Sequence, residues 1–289
     1  MEWHRIVDPN SPELDRLAER YHLHPLHIED CRQRDQNAKI EEASSYIFTV
    51  LKALRLDAEG AVLTSDLDIF FGTDFIITVL EEECREVEAM LEQVTKASDA
   101  NPRADQIYYR IVDQTVDTYP SVLDHFAEAI DRLEDQALET PTPETLSQIF
   151  DTKRNLIVLR RVMVNTRDVA SHLQRSESPY IQRDMWPFLR DVYDHVARNL
   201  DTVETLRDLL TGALDVYLSS VANRTNQVMK VLTILGTIAL PALVISGIYG
   251  MNVKGLPGAE SPHSLAIVFA AMVAFTGALL WVLKRFRWL

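Results

Sequence analysis

One helical face between Asn226 and Gly247 gathers the side chains of this 289-residue chain best placed to meet water inside an apolar segment. At 100° per residue, Asn226, Met229, Thr233, Gly236, Thr237, Leu240, Val244 and Gly247 fall within about a third of a turn either side of one direction. Ser246 lies opposite. Small and polar residues in such a stripe mark either a helix–helix interface or the wall of a water-filled path. The stripe ends at Tyr249-Gly250-Met251-Asn252, a short polar exit. Chemistry of other kinds is sparse: there is no Walker motif, no nucleophile elbow and no His-Glu-x-x-His, so no enzyme site is expected. His22, His24 and His27 invite a zinc reading, but they flank a helix start and are read as structural. Cys31 and Cys84 stand in no pairing pattern, which fits a reducing compartment.

The element that must hold the stripe is a membrane span. From Val231 to Val253 no side chain is charged. The helical part to Tyr249 is 19 residues, close at ~1.5 Å per residue to a hydrocarbon core of ~30 Å. Ser264 to Leu283, 20 uncharged residues, meets the same test. The two make a hairpin, and two spans cannot enclose a pore; a water-filled path therefore requires a ring of subunits, each giving one helix. Arg224 and Lys230 precede the first span and Lys284, Arg285 and Arg287 follow the second, against Lys254 alone between them, so both termini are expected to be cytoplasmic. The N-terminus lacks the apolar region of a signal peptide. The sequon Asn223-Arg224-Thr225 then faces the cytoplasm and is read as accidental.

The net charge is −14, and the segment from Val231 onward contributes +3, leaving −17 on residues 1–230. So acidic a surface repels nucleic acid and attracts cations; solubility alone is the plainer account. Ser11-Pro12 and His24-Pro25 read as helix starts with proline at the first position. Strands are expected at Tyr46–Leu54, Ala61–Thr64, Leu67–Phe71 and Phe75–Leu80. Helices are expected from Glu82 to about Ser98, from Pro102 to Leu138, and from a Thr142 cap to about Leu173. Arg183 to Tyr249 reads as one helix of ~67 residues, or ~100 Å. Its apolar spacing from Leu206 to Leu218 suggests a stalk packed on copies of itself or on the preceding helices.

Tyr249-Gly250-Met251-Asn252, standing at the end of the first of two C-terminal spans and before a short loop, resembles the signature of the CorA family of divalent-cation channels. The basic end Lys284-Arg285-Phe286-Arg287-Trp288-Leu289 is similar too. So are Asp191 to Pro241 and, more loosely, the segment from His24 to Leu54. The resemblance implies an α+β cytoplasmic domain, a mixed sheet with helices, followed by a long stalk helix and two transmembrane helices in a homopentameric funnel. Its parts would be a cytoplasmic domain with a helical hairpin at 1–175, a stalk helix at 176–249 continuing into the first span at about 231–249, an outer loop at 250–263, the second span at 264–283 and a basic tail at 284–289.

The function implied is a passive, cytoplasmically gated channel for Mg²⁺, and also Co²⁺ or Ni²⁺, in the inner (plasma) membrane, with no bound cofactor. Gly250, Met251 and Asn252 would form the selectivity filter. Mg²⁺ gives up its water shell reluctantly, so a ring of amide and carbonyl oxygens can select the hydrated ion. Asn226, Met229, Leu232 or Thr233, Gly236, Leu240 and Leu243 would line the pore. Asp191 and Asp215 would bind regulatory Mg²⁺ between subunits. Glu81, Glu82, Glu83, Glu86 and Glu88 are of the right kind to supply a partner for Asp191, although a solvated acidic helix face explains them as well. The outer loop Val253–Glu260 is closer to the zinc-transporting ZntB branch, so Zn²⁺ is the alternative cargo. A membrane-anchored structural or sensory protein is the alternative from another class, and the short outer loop counts against it.

Overall fold

Strands β3 (Tyr46–Leu56) and β4 (Val62–Gly72) form the long antiparallel hairpin on which the N-terminal unit is built. In the computed structural model, residues 1–33, 36–80, 85–96, 102–175, 178–251, 256–257 and 262–286 are described. The chain divides into two units, residues 1–215 and 216–289. The sheet of the first has the order β1-β5-β4-β3-β2, with β1 (Glu2–Ile6), β2 (Lys39–Glu42) and β5 (Phe75–Leu80) completing it. Among the described strand pairs, only β1–β5 is parallel.

Residues Tyr46 to Leu54 of β3 are buried on both faces, because each face carries a helical layer. On one side, Ile6, Leu14, Leu17, Ile28, Cys31, Phe48, Phe70 and Val79 share a core with α1 (Pro12–Tyr21) and α2 (Pro25–Arg32). On the other lie α4 (Ala104–Asp117), α5 (Tyr119–Glu139) and α6 (Pro143–Arg175). Tyr108 of α4 stacks on Phe71 at 4.6 Å and its hydroxyl meets Thr49 Oγ1 at 2.7 Å. Tyr119 of α5 donates to the Lys52 carbonyl at 2.8 Å. Both phenols thus fill core volume while keeping their hydroxyls paired.

The expected strands at Ala61–Thr64 and Leu67–Phe71 are one strand, β4. Ser65-Asp66 looks like a break in sequence, but the Asp66 carboxylate pairs with the Lys52 ammonium across the hairpin, and both side chains are buried. A buried charge is tolerated when a counter-charge meets it. The helix expected from Pro102 to Leu138 is two helices, divided at Thr118 before Tyr119-Pro120; proline in the first turn of α5 starts that helix and cannot continue α4. Strands β1 and β2 were not foreseen, since each is short and largely polar.

Ser11 caps α1 by accepting from the Glu13 N–H at 3.2 Å, and His24 caps α2 through Nδ1. Thr142 accepts from the Thr145 N–H ahead of α6. Helix α3 is Arg85–Lys96. A 3-10 turn at Arg183–Met185 leads into α7 (Trp186–Tyr249), one uninterrupted helix of 64 residues, and α8 is Ser264–Arg285. Both α8 and the C-terminal part of α7 are long and apolar enough to cross a membrane, and almost nothing of their apolar windows is buried in the chain itself.

Two glycines are fixed by their surroundings. Gly60, in the β3–β4 turn, has φ +83°, and Gly72 lies so close to Phe75 that a Cβ would stand 2.3 Å from its ring. Phe75 is itself stacked on Tyr21 at 4.0 Å and cannot easily retreat. Gly72→Ala is therefore expected to destabilise by about 1–3 kcal/mol through overpacking. Gly60→Ala should cost about 1 kcal/mol through its φ. Thermal unfolding of the two full-length variants checks the ranking.

Candidate cation sites

Among the described residues, one cluster of metal-ligand types stands in the first unit, and the polar stripe of α7 stands in the second. In the first, Asp113 and Asp117 of α4 and His195 of α7 present ligand atoms within 4.8 Å of one another. The spacing of i and i+4 puts the two aspartates on one face of α4. On α7, Asp191 and His195 are also four apart. His195 Nε2 lies 3.5 Å from Asp191 Oδ2, and Nδ1 lies 3.7 Å from Asp117 Oδ1. Asp191 itself is 58% exposed.

Within this cluster the acidic groups oppose one another. Asp117 is the last residue of α4, where the helix dipole already places negative charge, and no basic residue occupies that turn. Burial holds the Asp113 carboxyl above its ordinary range, and the Asp117 charge pushes it further up; the Tyr109 hydrogen bond at 3.2 Å and His195 only partly oppose them. Burial and the Asp113 charge likewise raise Tyr109. The histidine contacts are too long for good hydrogen bonds, so the groups face one another without closing. Ligands of one octahedral Mg²⁺ at ~2.1 Å lie about 3–4 Å apart. The cluster is slightly wider than that, and suits an ion that draws the carboxylates in or is held through water.

Of the residues anticipated for regulation, Asp191 borders this cluster through His195 but is not one of the three residues whose ligand atoms lie within 4.8 Å of one another. Asp215, further along α7, is exposed and has no ion-pair partner among the described residues. Glu88 lies on α3; Glu81, Glu82 and Glu83 and the side chain of Glu86 are outside the described residues, as is Cys84. Asp113, Asp117 and His195 were missed by sequence reasoning. The repeated i, i+4 spacing of ligand-type residues on two helices was the available signal. The three early histidines serve separately: His22 ends α1 in a left-handed conformation, His24 caps α2, and buried His27 bonds to Tyr46 Oη at 2.8 Å and Glu41 at 3.1 Å.

The second place is the stripe on α7. Asn226, Met229, Leu232, Thr233, Leu240 and Leu243 are exposed and Gly236 is half-buried. Asn226, Met229 and Thr233 line a groove of about 300 Å³ together with Leu283 of α8. Thr233 and Thr237 donate back to the carbonyls of Met229 and Thr233, each at 2.8 Å, so their hydroxyl protons are used within the helix and their lone pairs face outward. The helix ends through Gly250 N–H to Ser246 O at 2.8 Å. A Cβ on Gly250 would stand 2.9 Å from that oxygen, which accounts for glycine here. Tyr249 Oη donates to the Pro257 carbonyl at 2.8 Å, tying the helix end to the loop beyond it. Met251 is exposed; Asn252 lies outside the described residues.

A family profile described as CorA-like Mg²⁺ transporter protein matches residues 1–285. The chain belongs to the CorA family. It is 37% identical over 279 residues, 96% of this chain and 80% of the relative, to the cobalt/magnesium transport protein CorA of Thermotoga maritima. It is 27% identical to the zinc transport protein ZntB of Pectobacterium carotovorum, over 76% of this chain and 67% of that one. The complete structure of the CorA magnesium transporter from Methanocaldococcus jannaschii shares its fold, with a TM-score of 0.84 at 24% identity, covering 99% of this chain and 91% of that one.

As a CorA-family protein the chain is a divalent-cation transporter and not an enzyme. This replaces the reading of a mere anchor. CorA-family transporters are membrane proteins, and α8 with the apolar part of α7 fits as the spans.

The raised Asp113 carboxyl gives a pH test. A carboxyl that holds its proton more tightly when folded makes stability fall as pH rises from its unfolded range through its folded one. Metal-free protein is expected to lose thermal stability over that interval, and Asp113→Asn to flatten the slope. Adding Mg²⁺ near neutral pH should raise the melting temperature of the wild type and much less that of the variant. Parallel slopes in EDTA would detach Asp113 from the effect.

Proposed function

We propose that this CorA-family chain forms a homopentameric, passive Mg²⁺ channel, also passing Co²⁺ or Ni²⁺, that takes up cations across the inner (plasma) membrane with both termini in the cytoplasm. The observation that carries the reading is the uncharged α7 stripe ending at Tyr249-Gly250-Met251-Asn252, in a chain 37% identical to a cobalt/magnesium transport protein. Five copies of the stripe would line the path. Residues 176–249 would act as stalk and first span, 250–263 as the outer loop and 264–283 as the second span, with 1–175 and 284–289 inside.

At the outer end, rings of Gly250 carbonyls and Asn252 amide oxygens would hold an ion that keeps its water. Both are neutral, so binding stays weak enough for release. Met229 to Leu240 would form an apolar constriction that closes by losing water. Inside, Mg²⁺ at Asp113, Asp117, Asp191 and His195 would neutralise carboxylates that otherwise repel, and so favour the closed ring. Asp215 would serve a second such ion. One element, α7, carries Asp191, His195, Asp215 and the stripe.

The 27% identity to ZntB favours Zn²⁺ as a second reading. Liposomes containing the purified protein separate the two: Mg²⁺ influx is expected to exceed Zn²⁺ influx, and Zn²⁺ influx without Mg²⁺ would overturn the magnesium reading. Asn252→Ala should abolish Mg²⁺ flux or its selectivity; unchanged flux and selectivity would remove the filter assignment. Asp191→Ala should shift closure by internal Mg²⁺ to several-fold higher concentration. An unshifted dependence would take Asp191 out of gating while leaving the channel intact.

A further inference from the structure

The 3-10 turn and the first turns of α7 border an open groove of about 610 Å³, which the cation cluster does not use. Arg175 from the end of α6, Arg183 from the turn, and Trp186, Arg190, Tyr193 and Asp194 from α7 line it. Three guanidinium groups face one carboxylate, in a chain of net charge −14. Elsewhere in this unit arginines meet acids: Arg20 with Glu2, Arg32 with Asp15, and Arg160 with Glu204. Arg175, Arg183 and Arg190 have no carboxylate at ion-pair distance among the described residues. Asp184, next in sequence to Arg183, is held instead by Arg103 at 2.9 Å. The Arg183 guanidinium lies 5.8 Å from the centre of the Trp186 ring.

Positive charge without an ion-pair partner among the described residues, in an otherwise acidic unit, marks a place where an anion is favourable. The forked guanidinium matches phosphate oxygens two at a time. Trp186 remains 36% exposed beside the charges, with the Arg183 guanidinium over its ring, and exposed indoles stack on planar bases. The groove is open but has room for a small molecule. We propose that the groove binds a nucleoside polyphosphate, its phosphates on Arg175, Arg183 and Arg190 and its base against Trp186. An acidic protein segment would use the arginines but would leave the indole face without a purpose.

The test uses full-length protein in detergent with EDTA, titrated with ADP, inorganic phosphate and adenosine, and followed by calorimetry and tryptophan fluorescence. ADP is expected to saturate, and to bind more tightly than phosphate or adenosine. Arg183→Gln with Arg190→Gln should raise the ADP Kd about tenfold or more. Both side chains are exposed, so the fold should survive, as circular dichroism would verify. Trp186→Phe should remove most of the fluorescence change and weaken binding less than the double variant does. Absence of saturable ADP binding, or equal ADP affinity in the double variant, overturns the proposal. A double variant that alters only the oligomeric state overturns it too, and assigns the arginines to a neighbouring copy.

Discussion

Hydrocarbon offers no partner for a backbone N–H or C=O, so a chain that enters it must close its own hydrogen bonds. For the segment from Val231 to Tyr249 this leaves the helix as the only economical form. It is tolerant enough to hold Pro241, whose missing N–H interrupts a single rung of the ladder. The same constraint limits polar side chains. Thr233 and Thr237 satisfy their hydroxyl protons on the preceding turn, which lets them sit in an apolar span with their oxygen lone pairs still available. Where the helix must stop, the carbonyl of Ser246 takes the Gly250 N–H, and that close approach leaves no room for a Cβ.

A second constraint acts on the first unit, and it is repulsion. Asp113, under partial burial and facing the Asp117 charge, is in a place where a carboxylate is disfavoured. Folding tolerates this because the sheet behind α4 is deeply packed, with Tyr108 and Tyr119 buried and hydrogen-bonded. A site made unfavourable when empty responds strongly to a cation, since occupation removes a cost as well as adding contacts. Were the proposed regulatory ion to bind here, its ligands would come from two helices, α4 and α7.

Much of this was legible in the sequence, but unevenly. The spans declare themselves through the absence of charge over a membrane's thickness, and Tyr249-Gly250-Met251-Asn252 gains its meaning from its position at the end of one. The caps at Ser11 and His24 are local and were readable as such. Strand β4 was read as two because Asp66 looks polar, and only the pairing with Lys52 across the hairpin explains its burial. Helix α4 was merged with α5 because the break at Thr118 is a single residue. The cation cluster needs α4 beside α7, a contact between residues far apart in the chain. Asp191 was reached through family resemblance; the i, i+4 spacings of Asp113 with Asp117 and of Asp191 with His195 were visible in the sequence, but only the fold sets the two pairs side by side.

The chemistry of the donors bears on which ion the proposed channel prefers. Zn²⁺ is bound tightly by imidazole and thiolate, usually four-coordinate and without most of its water. The Gly250-Met251-Asn252 sequence of the proposed filter holds neither group: Gly250 and Asn252 would supply neutral oxygens, and the Met251 thioether is a soft, weak ligand. Cys31 is buried in the core of the first unit, its thiol held well above the ordinary range by burial and the Asp68 carboxylate. His195 stands among three aspartates, an oxygen-rich set with one nitrogen. Neutral oxygens suit a hard cation that keeps its hydration shell, and they discriminate by the geometry of that shell. Zinc carried by the same fold would have to pass as a hydrated ion as well, so the two cargoes compete on the stability of their water shells more than on affinity for the wall.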